Sequence, residues 1–343
     1  MRIVQMNTTG MLWLEALRRR WSLRLVAGES RWQFVVHMAG WMRLFIRQTQ
    51  WLRALDARET LRRAAQADPG LYERWHRPYI STHFDGDTRR RIVSSHYAFM
   101  MRRFPARLGE RIVSGGSARL ATLRLDGATG AYLSLRKPSR GEAGELSLLL
   151  LTLDKQVLAS CILTFDRSDS VIVGAVKGAG PHTPAEASRE FIQASHGLHP
   201  TDLLVSLVRE LAALHGLKRI RAVASSARVA GVSHGPDADG DDAFWRAQGG
   251  VPSSSGCLEL PLSLMRAPCA DGPRSRREKR QQREAFREKA CAAFAAAFRS
   301  TDERFPAGAT ASASRDAATT VRARSPAAQQ PASEHGGMLV AGL

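Results

Sequence analysis

Residues 146–177 read LSLLLLTLDKQVLASCILTFDRSDSVIVGAVK. Three apolar runs, Leu146–Leu153, Val157–Phe165 and Val171–Val176, are separated by Asp-Lys and Asp-Arg-Ser-Asp, residues that favour tight turns. Within Leu148–Leu151 and Ala159–Leu163 the apolar side chains are consecutive rather than alternating, so these strands are expected to be buried on both faces. A sheet of that kind needs helices over both faces. Working outward, Leu120–Leu125 and Ala131–Arg136 add two earlier strands, across an Asp-Gly turn and a Pro-Ser-Arg-Gly turn. The expectation is a five-strand meander of hairpins.

Downstream, Ala185–Ser195 and Thr201–His215 carry helical periodicity, the second opening at Pro200-Thr201 and ending at Gly216. Arg219–Ala224 reads as a strand, Asp242–Gln248 as a short helix bearing the core aromatic Trp245, and Cys257–Leu260 as a last strand. The predicted class is α/β (α+β), with a central, mostly antiparallel mixed sheet flanked by helices over residues 109–265. Upstream, apolar residues recur at helical spacing from Leu12 to about Leu61, and Asp68-Pro69-Gly70 ends that region. Two further helical segments surround Arg77-Pro78-Tyr79, the second spanning roughly Thr88 to Arg103. Residues 1–108 are therefore expected to form a helical layer on the core. Residues 266–299 hold a basic helix, Arg274 to Phe298. The Ala/Ser/Pro/Arg-rich stretch 300–343 is expected to be disordered, because it has too little apolar surface to offset ordering entropy.

The 343 residues include 50 Lys and Arg against 32 Asp and Glu, a formal charge of +18. The lysines are Lys137, Lys155, Lys177, Lys218, Lys279 and Lys289, so nearly all of the excess is arginine, which suits phosphates of nucleic acid, anionic lipid or a nucleotide cofactor. A compositional bias toward arginine is the alternative. Residues 274–289 concentrate eight basic and three acidic side chains, a polyanion contact or a solvated helix face. No zinc-finger or helix-turn-helix spacing supports sequence-specific DNA binding. The longest apolar stretch, Trp32 to Ile46, is broken by Gln33, His37 and Arg43, so no transmembrane segment is predicted. Over the wider helical region from Leu12 to about Leu61, Arg18, Arg19, Arg20, Arg24, Arg43, Arg47 and Arg53 opposite Trp and Phe also fit a helix lying in a membrane interface, the alternative to a layer docked on the core. There is no signal-peptide pattern, and the four cysteines lack paired spacing, which fits a cytoplasmic protein with reduced thiols.

Several short motifs carry a resemblance: Trp75-His76-Arg77-Pro78-Tyr79, Ser95-His96-Tyr97-Ala98-Phe99, Gly144-Glu145-Leu146, His196-Gly197-Leu198-His199-Pro200, Phe244-Trp245, Gly249-Gly250 and Glu278-Lys279-Arg280. In this order, over roughly residues 40 to 298, the chain resembles the VirK/YbjX family of bacteria. The resemblance implies a part in virulence, envelope integrity and resistance to antimicrobial peptides, at the cytoplasmic side and peripheral to the inner membrane. The order of elements is also similar to the GNAT N-acyltransferase core. That likeness implies an acyl-CoA cofactor, with the Leu203–Leu214 helix pointing its amino terminus at the pyrophosphate and Asp242–Gly250 as the aromatic-x-x-x-Gly turn. His196–Pro200 carries one glycine where that superfamily has a glycine-rich loop.

The candidate binding residues for acyl-CoA or another small molecule are Lys177 and Gly178, in the loop after a buried strand, and His196, Gly197, His199 and Thr201 at a helix start. There, free N–H groups and the helix dipole favour an anion. A cleft is expected between the strands at 157–165 and 171–177, open at His196–Pro200. Glu145 is a candidate general base facing it, and His96 a candidate acid or base. Each has a structural alternative: a locally bonded turn with Gly197 at positive φ, a core histidine at 96, and Glu145 paired with arginine. His196 and His199 lack a third ligand, so no metal site is predicted.

Overall fold

The computed structural model describes residues 45–263 and 274–299, apart from 77, 126–129, 140–141, 168, 181, 230–239 and 254, together with residues 13, 14, 16–18, 36 and 39. The tail expected to be disordered, Cys269 and most of the helical pattern starting at Leu12 lie outside these residues.

Helices α1 (Phe45–Asp56) and α2 (Glu59–Ala67) lead into a 3₁₀ turn, Pro69–Tyr72, which opens where the Asp68 carboxylate accepts the Gly70 N–H at 3.0 Å. A segment of successive turns follows. In it Ile80 adopts φ +67° between the bridged residues Tyr79 and Ser81. A β-branched residue in the left-handed region is strained by about 1–3 kcal/mol, and only over-determining surroundings hold it there. Helix α3 (Gly86–Arg103) starts where Asp85 accepts the Thr88 N–H at 2.8 Å. Its last turn carries Arg102 and Arg103 against the negative end of the dipole. Helix α4 (Ala106–Val113) completes the amino-terminal layer.

The meander follows as β1 (Ser117–Arg124), β2 (Gly130–Arg136), β3 (Leu146–Thr152), β4 (Val157–Asp166) and β5 (Ser170–Lys177). Then come α5 (Ala185–Ala194), α6 (Pro200–Leu214), β6 (Arg219–Val223), α7 (Gly240–Ala247), β7 (Val251–Pro252), β8 (Cys257–Leu260) and α8 (Arg274–Arg299). One eight-stranded sheet results, in the order β1-β2-β3-β4-β5-β6-β8-β7. Neighbours run antiparallel except β5 and β6, which are parallel and joined through α5 and α6. The mixed sheet flanked by helices is thus the architecture read from the sequence.

Register divides the sheet into two unlike faces. Leu135 opposes Leu148, Leu148 opposes Cys161, and Val171 opposes both Phe165 and Ile220, so one face is continuously apolar. Helix α6 crosses it with Leu203, Leu204, Leu207, Val208 and Leu211 enclosed. Each such side chain contributes roughly 1.5–3 kcal/mol by leaving water. Phe99 of α3 stacks on Phe165, Phe104 meets Phe165 edge-on, and Phe298 near the end of α8 meets Phe104 and His215 edge-on. On the other face Arg136 opposes Ser147, Thr164 opposes Ile172, and Ile172 opposes Arg221. That face carries Glu145, Ser147, Thr164, Asp166 and Ser170, all buried. Consecutive burial in β3 and β4 therefore comes from two chemistries, one of them polar.

The cleft expected between residues 157–165 and 171–177 is absent. β4 and β5 are paired from Ser160–Lys177 to Asp166–Ser170. Their one irregularity lies where Ile162 pairs with Ala175 and Leu163 with Val173, which leaves Gly174 as an extra residue in β5. A bulge bends its strand and increases its twist. Beyond it β5 has no β6 partner: the parallel ladder ends at Val173–Ala222 and β6 itself at Val223, while β5 continues to Lys177. Gly174 is required for a second reason, since a Cβ there would lie 1.9 Å from the Ala143 carbonyl oxygen. Gly174→Ala is expected to destabilise the fold by about 2–3 kcal/mol, the overpacking range. The check is urea unfolding, with Gly178→Ala, whose Cβ would meet open space, as the neutral comparison.

Candidate functional site

The end of β5 that extends past β6 is the same end at which α6 begins. α6 returns the chain to Lys218, whose N–H bonds Asp169 beside the start of β5, so its first turn lies at the opposite end of the sheet, with Lys177 and Gly178. Pro200 occupies the first helical position, and the Thr201 and Asp202 amides have no acceptor within the helix. Lys177 Nζ lies 3.2 Å from Glu142 Oε1, and Gly178 is open around its Cα. His199 is the N-cap residue and makes no side-chain capping bond.

The His196-Gly197 turn is built differently from a ligand loop. His196 and Gly197 both take left-handed backbone, φ +56° and +86°. Their N–H groups donate to Gln193 at 3.1 Å and Ile192 at 2.7 Å, closing the end of α5 as a Schellman cap. Arg283 of α8 donates from Nε to the His196 carbonyl at 3.2 Å, and its guanidinium overlies Gly197. The amides of this turn are thus consumed by the fold, which leaves the first turn of α6 as the donor end of the region. Arg283 is a cation brought to it that spacing along the chain did not single out.

Glu145 precedes β3 on the polar face, its side chain sealed from water. Arg74 Nη1 donates to its Oε1 at 3.3 Å and the Tyr97 hydroxyl to its Oε2 at 2.9 Å, while its own N–H bonds Thr164 Oγ1 and the Leu163 carbonyl. Arg74 also pairs with Asp68, which in turn lies 3.1 Å from Lys137 Nζ. Burial would raise the Asp68 pKa, but Arg74 and Lys137 outweigh it and hold the carboxyl below its ordinary value. Burial, reinforced by Glu145, pushes the Tyr97 phenol well above its ordinary value. So occupied, Glu145 anchors the amino-terminal layer to the sheet, in accord with the arginine-paired alternative. Farther along the same face, Asp166 accepts from Arg91 at 3.3 Å and from Arg221 at 2.7 Å.

His96 is fully buried, stacked on Phe165 with ring centroids 5.6 Å apart. β4 outruns β3 here, and the Phe165 N–H that a neighbouring strand would accept is taken by His96 Nδ1 at 3.2 Å. The proton is therefore on Nε2. Burial, with Lys137 and Arg74 nearby, lowers its pKa to about 3. His96 extends the ladder from a helix and is neutral at physiological pH, as a core histidine would be.

The chain matches the family described as Protein of unknown function (DUF535) over residues 27–296. It belongs to the DUF535 family. A relative, "Uncharacterized protein YbjX" of Escherichia coli (strain K12), is 22% identical over 233 residues, which cover 65% of this chain and 70% of the relative. The resemblance to the VirK/YbjX family read from the motifs is thereby confirmed. No solved structure matches significantly.

In this DUF535 chain the structure brings Glu145 and His96 into one neighbourhood and Lys177, Gly178 and Thr201 to another, with Glu142–Glu145 running between them. Among the described residues no group of three or more His, Cys, Asp or Glu could hold a metal, and no helix is long and apolar enough to cross a membrane. The residues missed in the sequence are Gly174, Arg74, Tyr97, Asp166 and Arg221. Gly174 had a signal, a glycine inside a strand, which marks a bulge or close backbone contact. The others had none, because their partners lie 48 to 75 positions away.

The lowered His96 pKa predicts a pH dependence of stability. Above about pH 6.5 the imidazole is neutral in folded and unfolded chains alike, and its contribution is fully present. As pH falls from there toward about 3, only the unfolded chain takes up the proton, and stability drops by ~1.4 kcal/mol per pH unit. Urea unfolding between about pH 7 and pH 4 should show this slope in the wild type and a shallower one, by about one proton, in His96→Gln.

Proposed function

We propose that the opening beside β5, past the end of β6, binds the pantetheine arm and phosphates of an acyl-CoA, and that the chain transfers the acyl group to an amine. The observation that carries this reading is the bulge at Gly174, where the parallel β5–β6 ladder ends and β5 runs on alone toward the start of α6. The strand order β5-β6-β8-β7, with the Phe244-Trp245 helix and Gly249-Gly250 between β6 and β7, supports a GNAT-like core. The edge of β5 beyond Val173, past the end of β6, can hydrogen-bond the amides of pantetheine as a strand would. Thr201 and Asp202 amides, with Arg283 near, suit the phosphates. Lys177 and Gly178 border the entrance. In transfer, the amine nitrogen attacks the thioester carbonyl, the carbon–sulfur bond breaks, and the amine proton leaves with the thiol. Of the two candidate acid–base residues only Glu145 belongs to the segment touching the opening, through Ala143 on Gly174. Its pairing with Arg74 and Tyr97 makes it a positioning residue. We infer from the VirK/YbjX resemblance that such an activity would serve envelope integrity, virulence and antimicrobial-peptide resistance from the cytoplasm.

Acetyl-CoA and longer acyl-CoAs should stabilise the full chain, by ~2.7 kcal/mol at about a hundredfold excess over Kd. Thr201→Glu places a carboxylate where the phosphates would lie yet suits the helix dipole. It should abolish the thermal shift without lowering the Tm of the free protein, and Gly178→Trp should do the same. Absence of a shift with every acyl-CoA would end this reading.

A second reading, a non-catalytic polyanion binder, is favoured by α8. Residues 274–282 are exposed all round and carry five cations and one anion at the positive end of the helix dipole, where cations are disfavoured until an anion approaches. Binding to duplex DNA or anionic vesicles should then weaken steeply with salt. Replacing Arg274, Arg276 and Arg277 by Gln should reduce the log–log salt slope on DNA by about three. An unchanged slope would exclude α8 as the contact.

A further inference from the structure

Between α5 and the turns that join β1 to β2 and β3 to β4 lies a cavity of about 340 Å³, within the size range of small-ligand sites. Its floor is apolar: Leu125, Leu158 and Phe191 line it, and all three are buried in the core. Leu153 stands at the rim, 52% exposed, where a covering ligand would remove apolar surface from water.

The walls are held in place by the fold. In the β3–β4 turn the Thr152 N–H donates to the Gln156 carbonyl at 2.9 Å, and the Gln156 N–H returns to Thr152 Oγ1 at 3.1 Å. Thr183 Oγ1 donates to the Val157 carbonyl at 3.0 Å, which fastens the chain entering α5 to the start of β4. Within α5, Ala187, Glu190 and Phe191 fall on one helical face, and Phe191 meets Phe286 of α8 edge-on at 6.2 Å. The cavity is therefore formed before any ligand arrives.

Charge at this cavity runs against that of the chain. The formal charge is +18, yet the charged side chains among the described residues of the lining are two carboxylates, Asp154 and Glu190. Both are exposed, and neither has an ion pair among the described residues. The cations next to the lining in sequence, Arg124, Lys155 and Arg189, are exposed and do not line it, and Arg189 pairs with Glu186 at 3.5 Å. One carboxylate comes from the β3–β4 turn and the other from α5, so they flank the apolar floor from two sides. An ammonium group joined to hydrocarbon matches both parts: the carboxylates take the charge and the floor takes the chain.

We infer that this cavity binds a primary amine with a short hydrocarbon arm, its ammonium at Asp154 and Glu190 and its methylenes on Leu125, Leu158 and Phe191. A free alkylamine and the lysine side chain of a peptide share this chemistry. The site does not depend on the acyl-CoA reading.

The test is calorimetric titration of the full chain with butylamine, pentylamine and hexylamine at about pH 7, where such amines are protonated as lysine is. Hexanol and hexanoate serve as neutral and anionic controls. Saturable binding is expected, tightening about threefold to fourfold with each methylene, the factor for burying one CH₂. Hexanol should bind more weakly than hexylamine, and hexanoate not at all. Tighter binding of an N-acetyl-lysine amide than of butylamine would support a peptide lysine as the occupant, and the reverse order a free amine. Asp154→Asn and Glu190→Gln, both at exposed positions, should each weaken hexylamine by up to about fivefold, the strength of one exposed ion pair. In the double variant hexylamine should bind no more tightly than hexanol binds the wild type. Ala187→Leu fills the cavity from α5 with a good helix former and should abolish amine binding. Thr201→Glu should bind the amines as the wild type does. No saturable binding of hexylamine, an affinity that ignores chain length, or equal binding by the double variant and the wild type overturns the site.

Discussion

Two carboxylates, Glu145 and Asp166, lie on a sheet face closed to water, and much of the chain is arranged to keep them neutralised. An isolated carboxylate in such a place would cost several kcal/mol even after relaxation. Arg74 and Tyr97 answer the first, Arg91 and Arg221 the second. Three of these four come from the amino-terminal layer and the fourth from β6. The charges therefore specify which elements cover the polar face and in what register, whereas the apolar face could accept α6 in several sliding positions. Close packing around Phe165 and Trp245 supplies bulk stabilisation on one side, and ionic pairing supplies uniqueness on the other.

The second organising event is local. One additional residue in β5, Gly174, sits where the parallel ladder with β6 ends and β5 continues alone on that side. Nothing larger than hydrogen fits there, because the Ala143 carbonyl occupies the space. The loop before β3 is thereby tied to that point, with Glu142 on Lys177 at one end and Glu145 on Arg74 at the other. Ionic anchoring and the end of the parallel ladder meet in one segment.

Much of the architecture was legible because it rests on local patterns. Apolar runs with Asp-Gly or Asp-Lys turns disclose hairpins, and Pro200 and Gly216 bracket α6 from within its own sequence. The apolar texture of β3 and β4 suggested burial on both faces and was right about burial. It could not show that Ser147, Thr164 and Asp166 line a polar interior, since serine and threonine read the same whether solvated or enclosed. The cleft expected between residues 157–165 and 171–177 is not there, because whether two strands stay paired depends on how they align and not on either alone. Glu145 was recognisable as a charged residue at a strand start, but its partner Arg74, 71 positions earlier, is one of many arginines, and composition does not rank them. His196 and Gly197 drew notice as a Gly-bearing bend before a helix; the bend turned out to be the finish of the preceding helix.

The docking of α8 has a bearing on how the molecule is made. β1 forms one border of the sheet, and α8, more than 150 positions later, lies along it while Phe298 closes the aromatic cluster about Phe104. A nascent chain leaving the ribosome can assemble the hairpins as they emerge, yet that border strand and part of the cluster remain uncovered until almost three hundred residues have been translated. Throughout that interval the emerging polypeptide shows an open strand edge, a state in which a holding chaperone has something to grip.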